Sequence, residues 1–125
     1  MADWTRKNFA DLQDRSTDAD MQWRFSRNAV GSKDLGVSRF TYAPGKRMPF
    51  GHAHREQEEV YVVVAGSGRA KLDDEIVDVV AGDVVRVAPP VVRAFEAGDD
   101  GLELLCVGGR KAPSGDTIRV PDFWV

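Results

Sequence analysis

The sequence has few of the residues on which several common kinds of functional site depend. Its single cysteine, Cys106, cannot form an internal disulfide and excludes a four-cysteine zinc site. Imidazole is also scarce, because the chain has only two histidines. Lys and Arg number 17 against 20 Asp and Glu, a formal net charge of −3. The chain therefore lacks the basic stripe that nucleic-acid binding requires, and we expect no nucleic-acid partner.

Long hydrophobic runs and several catalytic motifs are missing too. No segment approaches the roughly 20 apolar residues that span a bilayer, and the charged residues 1–7 have no apolar stretch after them. We therefore expect no membrane partner, no signal peptide and a cytoplasmic location. There is no Gly-x-Ser-x-Gly elbow, no phosphate-loop lysine and no three-glycine dinucleotide motif, which excludes the enzyme classes that use them.

The chain of 125 residues is long enough for one domain with a hydrophobic core, and we assign residues 1–125 to a single domain. Residues 1–34 are weakly patterned and predict an irregular lead-in. From Leu35, short apolar segments alternate with turn residues about every 8–12 residues, which is typical of an all-β sandwich or barrel. The predicted strands are Leu35–Tyr42, Met48–His54, Glu59–Ala65, Arg69–Leu72, Glu75–Val79, Asp83–Val87, Val92–Glu96 and Leu102–Val107.

Turn residues separate these strands, and a polar segment precedes the C-terminal end. The residues that predict turns include Gly66-Ser67-Gly68 and the run from Gly98 to Gly101. Residues 110–116 are typical of a linker and lead to an apolar tail, Thr117–Val125. We expect this extended tail to pack either on its own barrel or on a neighbouring subunit.

The most informative segment contains both histidines, His52 and His54. Two residues apart on a strand, they point to the same face. If Glu59 opens the next strand of a hairpin and also faces inward, it meets them there, and two imidazoles with one carboxylate form a site for iron(II), zinc or manganese. Such histidines are also common in structural or solvent-facing positions, and Glu58-Glu59 alone is typical of a solvated hairpin. The complete spacing, which ends at Gly66, favours a metal site.

These residues resemble the first motif of the cupins, in which two histidines one residue apart are followed by a glutamate and then a glycine. The second cupin motif has a partial counterpart from Gly82-Asp83 through Ala88-Pro89-Pro90, with Arg93 where the last histidine of the motif stands. The resemblance covers about residues 35–109. It implies a double-stranded β-helix, or jelly-roll barrel, with a divalent metal ion such as iron, manganese, zinc or nickel. The distance to Gly66 favours Glu59 over Glu58 as the ligand.

Arg93 departs from the cupin pattern, in which three histidines and one glutamate usually bind the metal. Arginine stays protonated and has no lone pair for a metal. Two alternatives follow. Either His52, His54 and Glu59 hold the metal and Arg93 binds an anionic substrate, or Arg93 forms a buried ion pair with Glu59 in a metal-free pocket. The spacing of the other three ligands favours the metal.

Three aromatic residues, Tyr61, Phe95 and Phe50, share faces with these groups and are candidates for binding a small molecule, although filling the core is their alternative role. Cys106 is expected to be a small buried apolar residue. Two functions remain open: a metal-dependent enzyme, with oxygenase or isomerase chemistry implied by the resemblance, or a metal-free module that binds a small molecule without turnover. The resemblance to small single-barrel cupins also implies a homodimer.

Overall fold

The computed structural model describes residues 2–124. Within them lie a 3-10 helix at Phe9–Asp11 and a one-turn helix, α1, at Arg27–Val30. The strands of the described chain are β1 Met21–Phe25, β2 Gly36–Tyr42, β3 Phe50–His54, β4 Glu59–Leu72, β5 Glu75–Val80, β6 Val84–Val87, β7 Arg93–Gly108 and β8 Thr117–Pro121.

These strands form an antiparallel sheet that curls on itself. Over residues 2–124 the sheet has eight strands, and one path through it runs β1-β2-β7-β3-β8. The long strand β4 pairs with β5, β6 and β7. Its pairing with β7 joins β5 and β6 to the other strands of the sheet. Alternate side chains of both strands, among them Tyr61, Val63, Phe95 and Leu104, fill the buried interior. The predicted all-β jelly-roll barrel is confirmed.

Two predicted turns are wrong, because β4 runs through residues 66–68 and β7 runs through residues 98–101. The glycines there bend paired strands instead of ending them. Gly66 and Gly101 have φ angles of 78° and 76°, and the register between the two strands shifts on either side of Gly66. A Cβ atom on Gly66 would lie 2.0 Å from the Gly101 carbonyl oxygen, so the strands approach each other too closely for a side chain.

The lead-in is more regular than its sequence predicts. Strand β1 pairs in register with β2, Met21 opposite Tyr42, and both side chains are buried in the core. The Asp14 carboxylate accepts the Trp23 backbone N–H at 3.0 Å and connects the first residues to this strand. The prediction of an irregular lead-in is therefore wrong for residues 21–25, which form a strand with Met21 buried in the core and Trp23 packed against it.

The C-terminal tail packs on its own barrel. Strand β8 pairs along the whole of β3, with Thr117 opposite His54 and Pro121 opposite Phe50. Phe123 covers Gly51, where a Cβ would lie 2.6 Å from the ring. Val125 lies outside the described residues. Among residues 2–124 there is no helix long and apolar enough to cross a membrane. The homodimer and the cytoplasmic location stay predictions.

Candidate metal centre

The hairpin of β3 and β4 brings His52, His54 and Glu59 together inside the barrel. Glu59 Oε1 lies 3.4 Å from His52 Nε2 and 3.1 Å from His54 Nε2. The two rings are 5.1 Å apart between centroids and perpendicular, so both Nε2 atoms reach the same carboxylate. The ligand atoms of the three residues all lie within 4.8 Å of one another, a grouping that can hold a metal ion.

Glu59, and not Glu58, faces the histidines. Glu59 is buried, whereas the Glu58 side chain is 57% exposed and its carboxylate pairs with Arg86 at 2.7 Å. The alternation of side chains along β4 explains the difference, because adjacent residues of a strand point to opposite faces. The distance to Gly66 therefore selects the glutamate that faces the histidines; its role as a metal ligand stays a prediction.

Further donors surround the Glu59 carboxylate. Its Oε1 accepts the Tyr61 hydroxyl at 2.7 Å, and its Oε2 accepts the Cys106 thiol at 3.1 Å. Burial alone raises the pKa of Glu59, but hydrogen bonds from His52, His54 and Tyr61 outweigh it and hold that pKa far below its ordinary value. Glu59 is therefore an anion that accepts from Tyr61 and Cys106 and lies beside both histidines.

Cys106 lies in the site and is more than an apolar filler. It is buried as expected, and the register of β4 and β7 places it opposite Tyr61. Burial, followed by the negative charge of Glu59, raises the pKa of the Cys106 thiol far above its usual range. The thiol therefore stays protonated and donates to the carboxylate.

Arg93 forms the ion pair with Glu59 that the sequence left open. Its side chain is 0% exposed, with Nη1 3.3 Å from Glu59 Oε1 and Nη2 donating to the Ala88 carbonyl at 2.8 Å. Its buried Nε has no hydrogen-bond partner among residues 2–124. The guanidinium thus neutralises the carboxylate that a metal ion would need, and substrate binding by Arg93 stays a prediction.

Asp116, at the end of the predicted linker, is a further residue of the site. Its Oδ2 lies 2.8 Å from His54 Nδ1. Backbone N–H groups of Glu56 and Ala112 donate to Oδ1, each at 2.9 Å. Burial raises the Asp116 pKa, but these backbone donors and His54 hold it below its usual value. No local pattern predicts this contact, since 62 positions separate Asp116 from His54.

The donor set fits a divalent metal. Because a carboxylate accepts only, His54 Nδ1 carries the proton that it donates to Asp116. With the ring neutral, the Nε2 lone pair faces a carboxylate oxygen 3.1 Å away, whereas in the doubly protonated ring Nε2–H donates to that oxygen. Two acceptors at that distance need a cation between or beside them, either a second ring proton or a metal ion. The residues His52, His54 and Glu59 supply the two-imidazole, one-carboxylate set that iron(II), zinc and manganese accept.

Solvent reaches the centre beside His52. The His52 side chain is 22% exposed, and it stands opposite Arg119 of β8. Arg119 is exposed, and its guanidinium lies 3.8 Å from the Phe50 ring centroid. Tyr61 and Phe95 are buried and pack together at 4.8 Å between centroids. Of the three aromatic candidates for a binding pocket, Phe50 is therefore the most accessible; substrate binding by all three stays a prediction.

Comparisons with known proteins agree with this geometry. A family model described as a cupin domain matches residues 38–108. No curated protein matches the chain. A cupin protein from Bacteroides fragilis is 27% identical, with a TM-score of 0.68 over 82% of this chain and 87% of that chain.

Two more distant structures are similar in fold. The polyketide cyclase RemF from Streptomyces resistomycificus is 19% identical, with a TM-score of 0.75 over 95% of this chain and 85% of that chain. Oxalate decarboxylase from Bacillus subtilis is 23% identical, with a TM-score of 0.73 over 92% of this chain and 32% of that chain. The barrel is therefore shared with proteins of different chemistry, and the fold does not decide the reaction.

Proposed function

The chain belongs to the cupin family, and from this membership we propose that it binds one divalent metal ion through His52, His54 and Glu59 and a small anionic molecule beside it. The observation that carries the proposal is the cluster of His52, His54 and Glu59, whose ligand atoms lie within 4.8 Å of one another, with His54 held between the carboxylates of Asp116 and Glu59. With the His54 proton on Nδ1, Nε2 and the Glu59 oxygen are both acceptors, and a metal ion held by these residues would relieve the repulsion between them.

Two guanidinium groups support an anionic ligand. Arg119 is exposed and stands opposite His52 in the strand pair, so its guanidinium is available to a carboxylate or phosphate near the accessible side of the centre. Arg93 retains an Nε–H donor without a partner in the described part of the chain, and this donor can bind an acceptor that enters the centre. A metal ion supplies Lewis acidity for polarising such a ligand. We propose a metal-dependent oxygenase or isomerase as the enzyme class.

Metal binding is tested with two neighbouring glutamates. The change Glu59→Gln removes a charged ligand, whereas Glu58→Gln alters an exposed carboxylate one residue away. Dialysed proteins are titrated with zinc or manganese in a calorimeter. We expect one ion per chain for the wild type and for Glu58→Gln, and for Glu59→Gln a loss of affinity at least as large as the roughly 10–100-fold cost of losing an outer-shell partner. Equal binding by both variants would exclude the proposed ligand.

The ion pair of Arg93 and Glu59 favours a second function, a metal-free module that binds a small molecule. In this case the guanidinium neutralises the carboxylate permanently, and Arg119 and Arg93 bind the anion without turnover. The two functions differ in the calorimeter: the module binds no zinc, manganese or iron(II) but takes up small carboxylates. In this case Arg119→Ala weakens binding of the carboxylates, while Glu59→Gln has no metal affinity to lose.

A further inference from the structure

We propose that Asp116 is a positioning residue of the metal centre: it fixes the His54 ring with Nε2 free to bind the ion. The inference rests on the proposed function and extends it to the C-terminal segment. Asp116 lies outside the residues that the cupin model matches, 38–108, so the family pattern does not include it.

The contacts of Asp116 make it a fixed acceptor. The carboxylate is almost fully buried, and its two oxygens accept from the backbone N–H groups of Glu56, Gln57 and Ala112 as well as from His54. Three backbone donors hold the carboxylate in one orientation, and the fourth direction is occupied by the His54 ring. The ring is thereby oriented by a group that cannot turn away from it.

In this role Asp116 favours one position of the proton on the His54 ring. The ring lies between two carboxylates, with Nδ1 2.8 Å from Asp116 and Nε2 3.1 Å from Glu59. A neutral imidazole has one N–H, and without Asp116 the better place for it is Nε2, where Glu59 accepts it. A proton on Nε2 blocks the lone pair that a metal needs. Asp116 favours the proton on Nδ1 and leaves Nε2 available, as carboxylates behind metal-binding histidines do.

The fold explains how a distant segment reaches the site. Strand β8 follows Asp116 directly and pairs with β3, the strand that carries both histidines. At its far end the tail is held where the Lys71 ammonium donates to the Phe123 carbonyl and lies over the Phe123 ring. Docking of the tail therefore brings Asp116 to His54 and completes the centre.

The test measures zinc affinity in four proteins: wild type, Asp116→Asn, His54→Gln and the double variant. In Asp116→Asn the amide oxygen replaces Oδ1, which accepts two backbone N–H groups, and the NH₂ group faces His54 Nδ1. This reverses the preferred position of the ring proton. We expect zinc binding about 10–100-fold weaker in Asp116→Asn. In the His54→Gln background the same change has no further effect, because the ring through which Asp116 acts is missing.

Two measurements separate positioning from general loosening of the tail. Lys71→Met removes a tail contact far from Asp116; we expect unchanged zinc affinity and a lower melting temperature. In zinc-loaded wild type, the His54 Nδ1–H proton exchanges slowly with water by NMR, and in Asp116→Asn it exchanges faster. If Asp116→Asn does not fold, Asp116→Ser replaces it, with an acceptor too short to reach His54.

The outcomes distinguish the two proposals. Wild type that binds no zinc would overturn the proposed function and this inference with it. Wild type that binds zinc, together with an Asp116→Asn protein that binds it equally well, would overturn this inference alone. If Asp116→Asn weakens zinc binding equally with and without the His54 ring, or if Lys71→Met weakens it as much as Asp116→Asn does, Asp116 has a purely structural role.

Discussion

Replacing Arg93 by methionine should change protein stability and metal affinity in opposite directions. Arg93 is fully buried with its Nη1 3.3 Å from Glu59 Oε1. Methionine keeps a long unbranched side chain and removes the charge. The metal-free protein loses the partner of a buried carboxylate, whereas a metal ion gains a carboxylate without a competing cation.

The size of both effects follows from the geometry. At an effective dielectric constant of about 20, two unit charges at this separation attract with about 5 kcal/mol before the cost of desolvation. Breaking a buried pair costs about 3–5 kcal/mol, and Glu59 keeps Tyr61 and Cys106 as donors. We therefore expect about 3 kcal/mol less stability without metal. Removing a like charge beside the ion should strengthen zinc binding by at least about tenfold, or about 1.4 kcal/mol.

The assay is urea unfolding with and without zinc, combined with calorimetric titration. Arg86→Met is the matched control: it breaks the exposed ion pair with Glu58, for which we expect less than about 0.5 kcal/mol and no change in zinc affinity. An Arg93→Met protein as stable as wild type without metal would contradict the buried ion pair. Weaker zinc binding in Arg93→Met would refute competition between the guanidinium and the ion.

Two further predictions concern the frame of the barrel. Gly66→Ala should lower the free energy of unfolding by more than about 3 kcal/mol, because a positive φ combines with a backbone oxygen 2.0 Å from the new Cβ atom. Gly82→Ala is the control: Gly82 has a φ of 96° but open space around it, and we expect a loss of about 1 kcal/mol. Equal losses of stability in the two variants would contradict the close contact between the strands. Burial raises the pKa of Glu96, but Arg69 and Arg47 outweigh it and lower that pKa. The stability that these pairs contribute is therefore present above the unfolded pKa of about 4.3 and is lost as pH falls through the lower folded value. The free energies of unfolding of wild type and Glu96→Gln should differ by about 0.5–1 kcal/mol at neutral pH and converge at low pH. A difference that persists in acid would show that ionisation of Glu96 does not cause it.

Local patterns predicted the centre of the site well. The two-residue period of a strand places His52 and His54 on one face, and the distance to Gly66 selects Glu59. These relations span a single hairpin, so pairing with distant strands hardly changes them. The ion pair of Arg93 and Glu59 was one of two predicted arrangements, because a guanidinium inside a barrel needs an anion.

Contacts between segments that are distant in the chain could not be predicted from the sequence. Asp116 reaches His54 because β8 pairs with β3, and residues 110–116 alone have the composition of a linker. Cys106 reaches Glu59 because the register of β7 places it opposite Tyr61. The local sequence around Gly66 predicts a turn. In the structure Gly66 is a bend within β4, because β7 continues the pairing past it and Gly101 lies in contact with it.

Metal content is the most direct test of the account. Purified, tag-free protein is dialysed briefly without strong chelators and analysed for iron, manganese, zinc and nickel, before and after incubation with each ion. The account predicts about one equivalent per chain, retained by Glu58→Gln and lost in Glu59→Gln. Protein that contains no metal and regains none from any of these ions would contradict it, and would leave Arg93 as the permanent partner of Glu59.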